Sequence, residues 1–345
     1  MKALISGYYG QGNAGDEALL MSLLQMLPSK IEPIVISANP KKTQQNYNVR
    51  TCPHRDIFSL LMALKYSDIF IWGGGSLIQD STSFASPIYY LGLMSLAQIR
   101  GLKTIAWGQG IGPLNYKFTR WITQKILAKC TAVSVRDHKS AELLSTWNIN
   151  YSIAPDPVWT LNSKNTLDLP KTSQLKVAVN LRNHPSLTLQ RLKTLTNALV
   201  DFQKITNVYI LLVPFQASQD LAIAHFISKQ LLKPHEIIQL DDPQRLKGLF
   251  KNINMTIGMR LHCLIMAASE KSRCFALSYD PKVKYLMEEI NIPGWELNQL
   301  PNNSDTIKHA WLEYFFNSMQ PIDSSIKDLK ERAMLHKEIL NQVTS

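Results

Sequence analysis

The chain has 345 residues, 45% of them hydrophobic, and 37 Lys/Arg against 26 Asp/Glu for a net charge of +11. That length suits about two domains. No apolar run reaches the roughly 18 residues of a membrane span, and the first strand starts at once without a leader pattern, so a cytoplasmic protein is expected. The charge is spread: residues 1–160 hold 15 Lys/Arg and 9 Asp/Glu, residues 161–321 hold 18 and 13, and residues 322–345 hold 4 of each. There is no basic tail or stripe of the kind that binds nucleic acid. Such an excess fits a protein that handles small anions, and it is compatible with peripheral contact at the inner, anionic membrane face.

In chain order, the apolar run Ala3-Leu4-Ile5 reads as a strand, the loop Gly7-Tyr8-Tyr9-Gly10-Gln11-Gly12-Asn13-Ala14-Gly15-Asp16-Glu17 follows, and Ala18–Leu24 has helical patterning. Strand, Gly-rich turn and helix form the geometry of an anion or ligand site. The letters satisfy G-x-G-x-x-G, but Asp16 and Glu17 stand where a pyrophosphate would lie and would repel it. The next strand, Ile34–Ile36, runs into Ser37-Ala38-Asn39 without the acid a dinucleotide ribose needs. The loop reads as a site, but not for a dinucleotide.

Further strands are expected at Ile69–Trp72, Thr104–Trp107, Ala132–Val135 and near Ile153. In the second half they are expected at Val177–Leu181, Val208–Pro214, Ile237–Leu240, Met255–Gly258 and Phe275–Tyr279. Strands alternating with helices predict an α/β chain of two Rossmann-like domains facing a cleft, GT-B-like. The boundaries are 1–160, a polar linker over 161–175, 176–321, and a charge-balanced surface helix within 322–345. Ligands of such sheets sit beyond the carboxyl ends of the strands. There the sequence puts Trp72-Gly73-Gly74-Gly75-Ser76-Leu77-Ile78-Gln79-Asp80, Trp107-Gly108-Gln109-Gly110-Ile111-Gly112-Pro113 and Arg136-Asp137, the first two read as Gly-rich turns.

The second half supplies cations at the same kind of edge: Arg182, then Arg260 and His262 at the start of an apolar helix, then Lys282. A basic pair at a helix N-terminus makes sense if an anion sits there, since Arg grips phosphate or carboxylate with two N–H groups. His54, His138, His184 and His235 have no such setting and read as surface or loop residues. Asp241-Asp242 before Pro243 reads as a helix cap. Cys52, Cys130, Cys263 and Cys274 lack metal-ligand spacing, so free thiols are expected.

Together the motifs at 7–17, 72–80, 108–113, 135–137, 258–262 and 278–282 resemble the polysaccharide pyruvyltransferases of the bacterial cell-wall-anchoring and exopolysaccharide type, over about residues 2–300. Two departures stand out: His138 where an acid is usual, and Gln216 where many relatives carry His, which leaves the acceptor open. The resemblance implies an enzyme that moves the pyruvyl unit of phosphoenolpyruvate onto two hydroxyls of a sugar, as a cyclic ketal. No redox cofactor and no metal is called for. It implies Arg136, Arg260, His262 and Lys282 as catalytic residues, and Arg182, Arg260 and Lys282 as donor-binding residues, with Arg136 reaching across the cleft. Gly12, Asn13, Asp16, Glu17, Gly74, Gly75, Asp80 and Gln109 then fall to the acceptor, a sugar that is free or lipid-linked. Asp16 as a plain helix cap is the structural alternative. Two other functions remain open: a GT-B glycosyltransferase using a nucleotide sugar, and a non-catalytic sugar-binding protein of the same fold.

Overall fold

The computed structural model describes residues 1–81, 83–164, 173–317 and 323–344. The chain forms two compact units, Met1–Leu161 with Leu329–Ser345, and Asn162–Asp328. Of the expected linker 161–175, residues 165–172 lie outside the described residues.

The first unit carries β1 (Lys2–Ser6), β2 (Glu32–Ser37), β3 (Arg50–Pro53), β4 (Ile69–Ile78), β5 (Lys103–Ile111), β6 (Ala132–Val135) and β7 (Ser152–Ile153). They form one parallel seven-stranded sheet in the order β3-β2-β1-β4-β5-β6-β7. Alternation within the strands splits the core between the two faces. Leu4, Phe70 and Trp72 pack with Leu60, Leu64, Met94 and Leu127 on one side. Ala3, Ile5, Ile69 and Ile71 pack with Leu20, Leu23, Leu340 and Val343 on the other. The second unit carries β8 (Lys176–Asn180), β9 (Tyr209–Leu212), β10 (His235–Ile237), β11 (Met255–Gly258), β12 (Arg273–Ser278) and β13 (Gly294–Glu296), also parallel, in the order β10-β9-β8-β11-β12-β13. Both sheets therefore reverse direction once, between β1 and β4 and between β8 and β11, and a crevice opens at the carboxyl ends of each such pair.

Three expectations are corrected. The Gly-rich runs after Trp72 and Trp107 are not turns: β4 and β5 continue through them, paired at Gly73↔Trp107, Gly75↔Gln109 and Ile78↔Ile111. Glycine is needed there because the strand passes close to other groups; a Cβ on Gly73 would collide with the Tyr9 hydroxyl, which donates to Gly73 O at 2.6 Å. The short edge strands β3 and β13 were not foreseen, and the third strand of the second sheet falls at His235–Ile237, overlapping the expected Ile237–Leu240 by one residue. The C-terminal stretch is two helices, Asp323–Ala333 and Leu335–Thr344, not one surface helix. The last of them buries Ile339, Leu340 and Val343 in the core of the first unit, as its apolar stripe at i, i+1 and i+4 requires.

Candidate active site

At the reversal of the second sheet, three neighbouring strands deliver the cations. Arg182 follows β8, Arg260 and His262 follow β11, and Lys282 follows β12. The Arg182 Nη1 donates to the Tyr279 hydroxyl at 2.9 Å, and its guanidinium carbon lies 5.0 Å from that ring's centre. The contact ties the loop after β8 to the loop after β12 across the end of β11. Its backbone N–H also points at Met259 Sδ, 3.4 Å away.

Arg260 is the N-cap residue of helix Leu261–Ser269, and no side chain caps that helix. The first turn, with His262 in its second position, is thus not closed by its own N-cap side chain. Arg260 itself is 6% exposed. Its Nε and Nη2 donate to the two oxygens of Asp220 at 2.8 and 2.6 Å, and Nη2 also reaches Gln216 Oε1 at 3.3 Å. Asn180 Oδ1, at the end of β8, accepts from the Arg260 backbone N–H at 3.1 Å. Asp220 in turn accepts from the N–H groups of Phe215 and Gln216. Arg260 is therefore fixed in place through its Nε and Nη2. Gln216, which the resemblance links to the acceptor, stands in this cluster beside Arg260. Lys282 and His262 are both half-buried.

His184 was read as a loop residue, and here it joins the cluster. Its ring centre lies 4.8 Å from that of Tyr279, and its Nδ1 accepts from the Ser186 N–H at 3.2 Å. Burial lowers its pKa, the Arg182 charge lowers it further, and Asp280 opposes both. A neutral ring with the proton on Nε2 fits these contacts.

At the reversal of the first sheet, Asn13 caps helix Ala14–Met26 by accepting from the Gly15 N–H at 3.0 Å, so Asp16 is not the cap. Glu17 Oε1 accepts from the Gly10 N–H at 2.8 Å, and Tyr47 donates to Oε2 at 2.5 Å. The loop's own carboxylate takes up a donor that a bound phosphate would use, which agrees with the argument against a dinucleotide. Asp16 is half-buried at the end of β4. Its Oδ1 would lie 3.4 Å from a Cβ on Gly75, a residue at φ +89° that favours glycine. Tyr9 and Tyr90 are both raised in pKa, chiefly by burial and then by the Asp16 charge. Gly12 is exposed.

Three expected acceptor residues have other work. Asp80 is 5% exposed and its two oxygens accept from the N–H groups of Asn115 and Tyr116, pinning the loop after β5. Gln109 is fully buried, and its amide donates to Trp107 O and Trp72 O. Gly74 packs under Leu19. None of these three side-chain positions is open to a sugar. Arg136, expected to reach out, is held inside its own unit: Nη1 donates to Asp156 at 2.5 Å and Nη2 to Ser76 Oγ at 3.1 Å, with both charged side chains 6% exposed.

Behind that ion pair stands His336 from the last helix, fully buried. It contacts Ser134 Oγ and Pro155 O, each at 3.0 Å, and its backbone oxygen accepts from Trp107 Nε1 at 3.0 Å. Burial pushes its pKa down to about 4. Asp156, Asp220, His184 and His336 were all missed in the sequence. Only Asp156 carried a signal, since flanking prolines at 155 and 157 fix the backbone around it. Asp242 does cap the helix after it, accepting from Gln244 and Arg245, and the four cysteines are free. Among the described residues no helix is long and apolar enough to cross a membrane, and no group of three or more His, Cys, Asp or Glu could hold a metal ion.

The whole fold is similar to that of GT-B enzymes. The UDP-GlcNAc 2-epimerase of Methanocaldococcus jannaschii superposes with a TM-score of 0.66 at 12% identity, covering 100% of this chain and 99% of that one. MnaA of S. aureus, solved with UDP, gives 0.65 at 12%, over 99% and 96%. A glycosyltransferase from Rickettsia africae gives 0.58 at 14%, over 100% and 98%. At such identities the likeness carries the fold, which is GT-B-like, and no further. No curated protein matches the sequence significantly. A family model does, over residues 13–281, which include Arg182, Arg260 and His262 of the second-sheet cluster, Asp16 and Arg136, and stop one residue short of Lys282. The chain belongs to the polysaccharide pyruvyl transferase family.

Proposed function

We propose that the protein transfers the pyruvyl unit of phosphoenolpyruvate to two hydroxyls of one sugar, giving a cyclic ketal on a cell-surface polysaccharide or its precursor. A proton adds to C3 of the enol, C2 becomes an oxocarbenium-like electrophile, and one hydroxyl adds to it. The C2–O bond to phosphate then breaks and the second hydroxyl closes the ring. Of the two hydroxyl protons released, one balances that consumed at C3 and the other leaves with phosphate or solvent. Fixed positive groups are what this charge pattern needs.

The observation that carries the reading is the preassembled cationic cluster at the reversal of the second sheet: Arg260 locked by Asp220 and Arg182 braced on Tyr279, at the start of the helix that carries His262. In this reading Arg182, Arg260 and Lys282 hold the carboxylate and phosphate. His262 or Lys282 carries the proton, with His184 as a further candidate. Asp16, beside Gly12 and Asn13, receives sugar hydroxyls, for which a carboxylate is a good acceptor and which it does not repel. Arg136 adds positive charge at the first sheet. Phosphate release from phosphoenolpyruvate in the presence of nucleotide- and lipid-linked aminosugars tests it. Absence of release with every acceptor, in a protein that is folded, refutes it.

A second reading has one observation in its favour. MnaA, of similar fold, was solved with UDP, so a nucleotide-sugar glycosyltransferase is compatible with the architecture. Thermal shift separates the two: phosphoenolpyruvate raises Tm in the first reading, and uridine diphosphate raises it in the second.

A further inference from the structure

Three helices cover one face of the first sheet: Ile57–Lys65, Ala85–Ile99 and Lys117–Leu127. They are neighbours, joined by the bond from Tyr89 Oη to His54 O at 2.9 Å and by the Phe84–Tyr116 ring contact at 5.4 Å. Each turns apolar side chains inward, as expected. Each also leaves large apolar side chains outward, which is not. Helix Ile57–Lys65 buries Leu60 and Leu64 yet exposes Phe58 by 78% and Met62 by 50%. Ile99 is 78% exposed and Trp121 55%. Phe118, Trp121 and Lys125 recur at i, i+3 and i+7, one outward stripe.

The charge on this face is one-sided. Helices Ala85–Ile99 and Lys117–Leu127 with their caps carry Arg100, Lys117, Arg120 and Lys125 and no Asp or Glu, and the acid at the edge of the face is Asp56, the exposed N-cap of helix Ile57–Lys65. Lys65, Lys117 and Lys125 are exposed among the outward apolar groups. Aromatic rings interleaved with long cations make an interfacial surface, since the rings enter the acyl boundary while the cations snorkel to headgroup phosphates. A second copy of this chain fits poorly. A two-fold contact would set the same cations largely against themselves, with Asp56 alone among the three helices and their N-caps to answer them.

We infer that this three-helix face docks the protein onto an anionic lipid bilayer. The inference is independent of the proposed chemistry, because it is measured without substrate. The test is co-sedimentation of the full chain with vesicles of phosphatidylcholine alone or of phosphatidylcholine with phosphatidylglycerol. Binding is expected to the second kind and to weaken as salt is raised. Lys117→Glu with Lys125→Glu is expected to lower the partition by about 10-fold or more. Phe58→Ser with Trp121→Ser is expected to lower it by roughly 10-fold, with Tm unchanged because both side chains are exposed. Equal binding to both vesicles, binding to neither, or binding that ignores both double variants overturns the proposal. So does a dimer in sedimentation velocity that Phe58→Ser with Trp121→Ser dissociates while vesicles are not bound.

Discussion

Asp220→Ala tests whether Arg260 is fixed by its buried partner. Asp220 is 1% exposed and accepts four hydrogen bonds, at 2.8 and 2.6 Å from Arg260 and at 2.9 and 3.0 Å from the Phe215 and Gln216 N–H groups. Removing it leaves a guanidinium buried without a counter-charge, which costs about 3–5 kcal/mol. It also orphans two backbone donors, at about 1–3 kcal/mol each where water cannot reach them. The lower ends of these terms sum to about 5 kcal/mol, so a loss of about 5 kcal/mol or more is expected in the transition of the second unit, followed by urea titration. The two units need not unfold together, so the transitions are resolved by more than one probe. The cycle is completed with Arg260→Met. In that background Asp220→Ala is expected to cost about 3–5 kcal/mol less, since only the two backbone donors are orphaned and no buried charge remains. A single-variant loss under about 1 kcal/mol, or equal losses in both backgrounds, refutes the view that this pair is a rigid unit. The Arg260→Met, Asp220→Ala chain is expected to fold and yet not to be protected by phosphoenolpyruvate.

His262→Ala is expected to lower the turnover rate by on the order of 10²-fold if that ring handles the proton; a near-normal rate removes it from that role. Asp16→Asn is expected to raise the KM for the sugar acceptor while leaving that for phosphoenolpyruvate unchanged, and an unaltered acceptor KM counts against the acceptor assignment. For His336 the folded pKa of about 4 lies below the ordinary value of 6.5. Its contribution is then fully present above about pH 6.5, is lost progressively as pH falls toward 4, and amounts to roughly 3 kcal/mol. His336→Gln is expected to flatten that part of the stability–pH curve, and an unchanged slope in urea titrations between pH 7 and 4 would show that the group does not titrate there.

Much of the architecture was legible because parallel strands buried on both faces announce themselves as short apolar runs. Strands such as Ile34–Ser37 and Met255–Gly258 could be read directly. β3 and β13 could not, being short edge strands: Arg50-Thr-Cys-Pro and Gly294-Trp-Glu contain no apolar run. The glycines misled in the other direction. Gly73–Gly75 look like a turn, but they are strand residues thinned so that Tyr9 and Leu19 can pack against them. The cations at 182, 260, 262 and 282 were visible because each sits just beyond a readable strand. Their partners were not, since Asp220 lies 40 residues from Arg260 and Asp156 lies 20 from Arg136, with no local pattern linking them. His336 meets Ser134 across 202 residues, a distance no spacing rule bridges.

That last contact sets an order of events during synthesis. The first unit is Met1–Leu161 closed by Leu329–Ser345, with Asn162–Asp328 made in between. At about 5–20 residues per second the ribosome needs roughly 8–33 s to make that intervening stretch. Throughout this interval Trp107 Nε1 has no His336 oxygen to meet, and the Pro155–Pro157 corner that carries Asp156 lacks its backing. The nascent sheet must wait with part of one apolar face uncovered, beside Leu20 and Leu23, where Leu340 and Val343 will later lie. Transiently exposed apolar surface of this kind is what makes a nascent chain prone to aggregate, and a chain that stops short of that helix leaves the Arg136–Asp156 pair without the backing of His336.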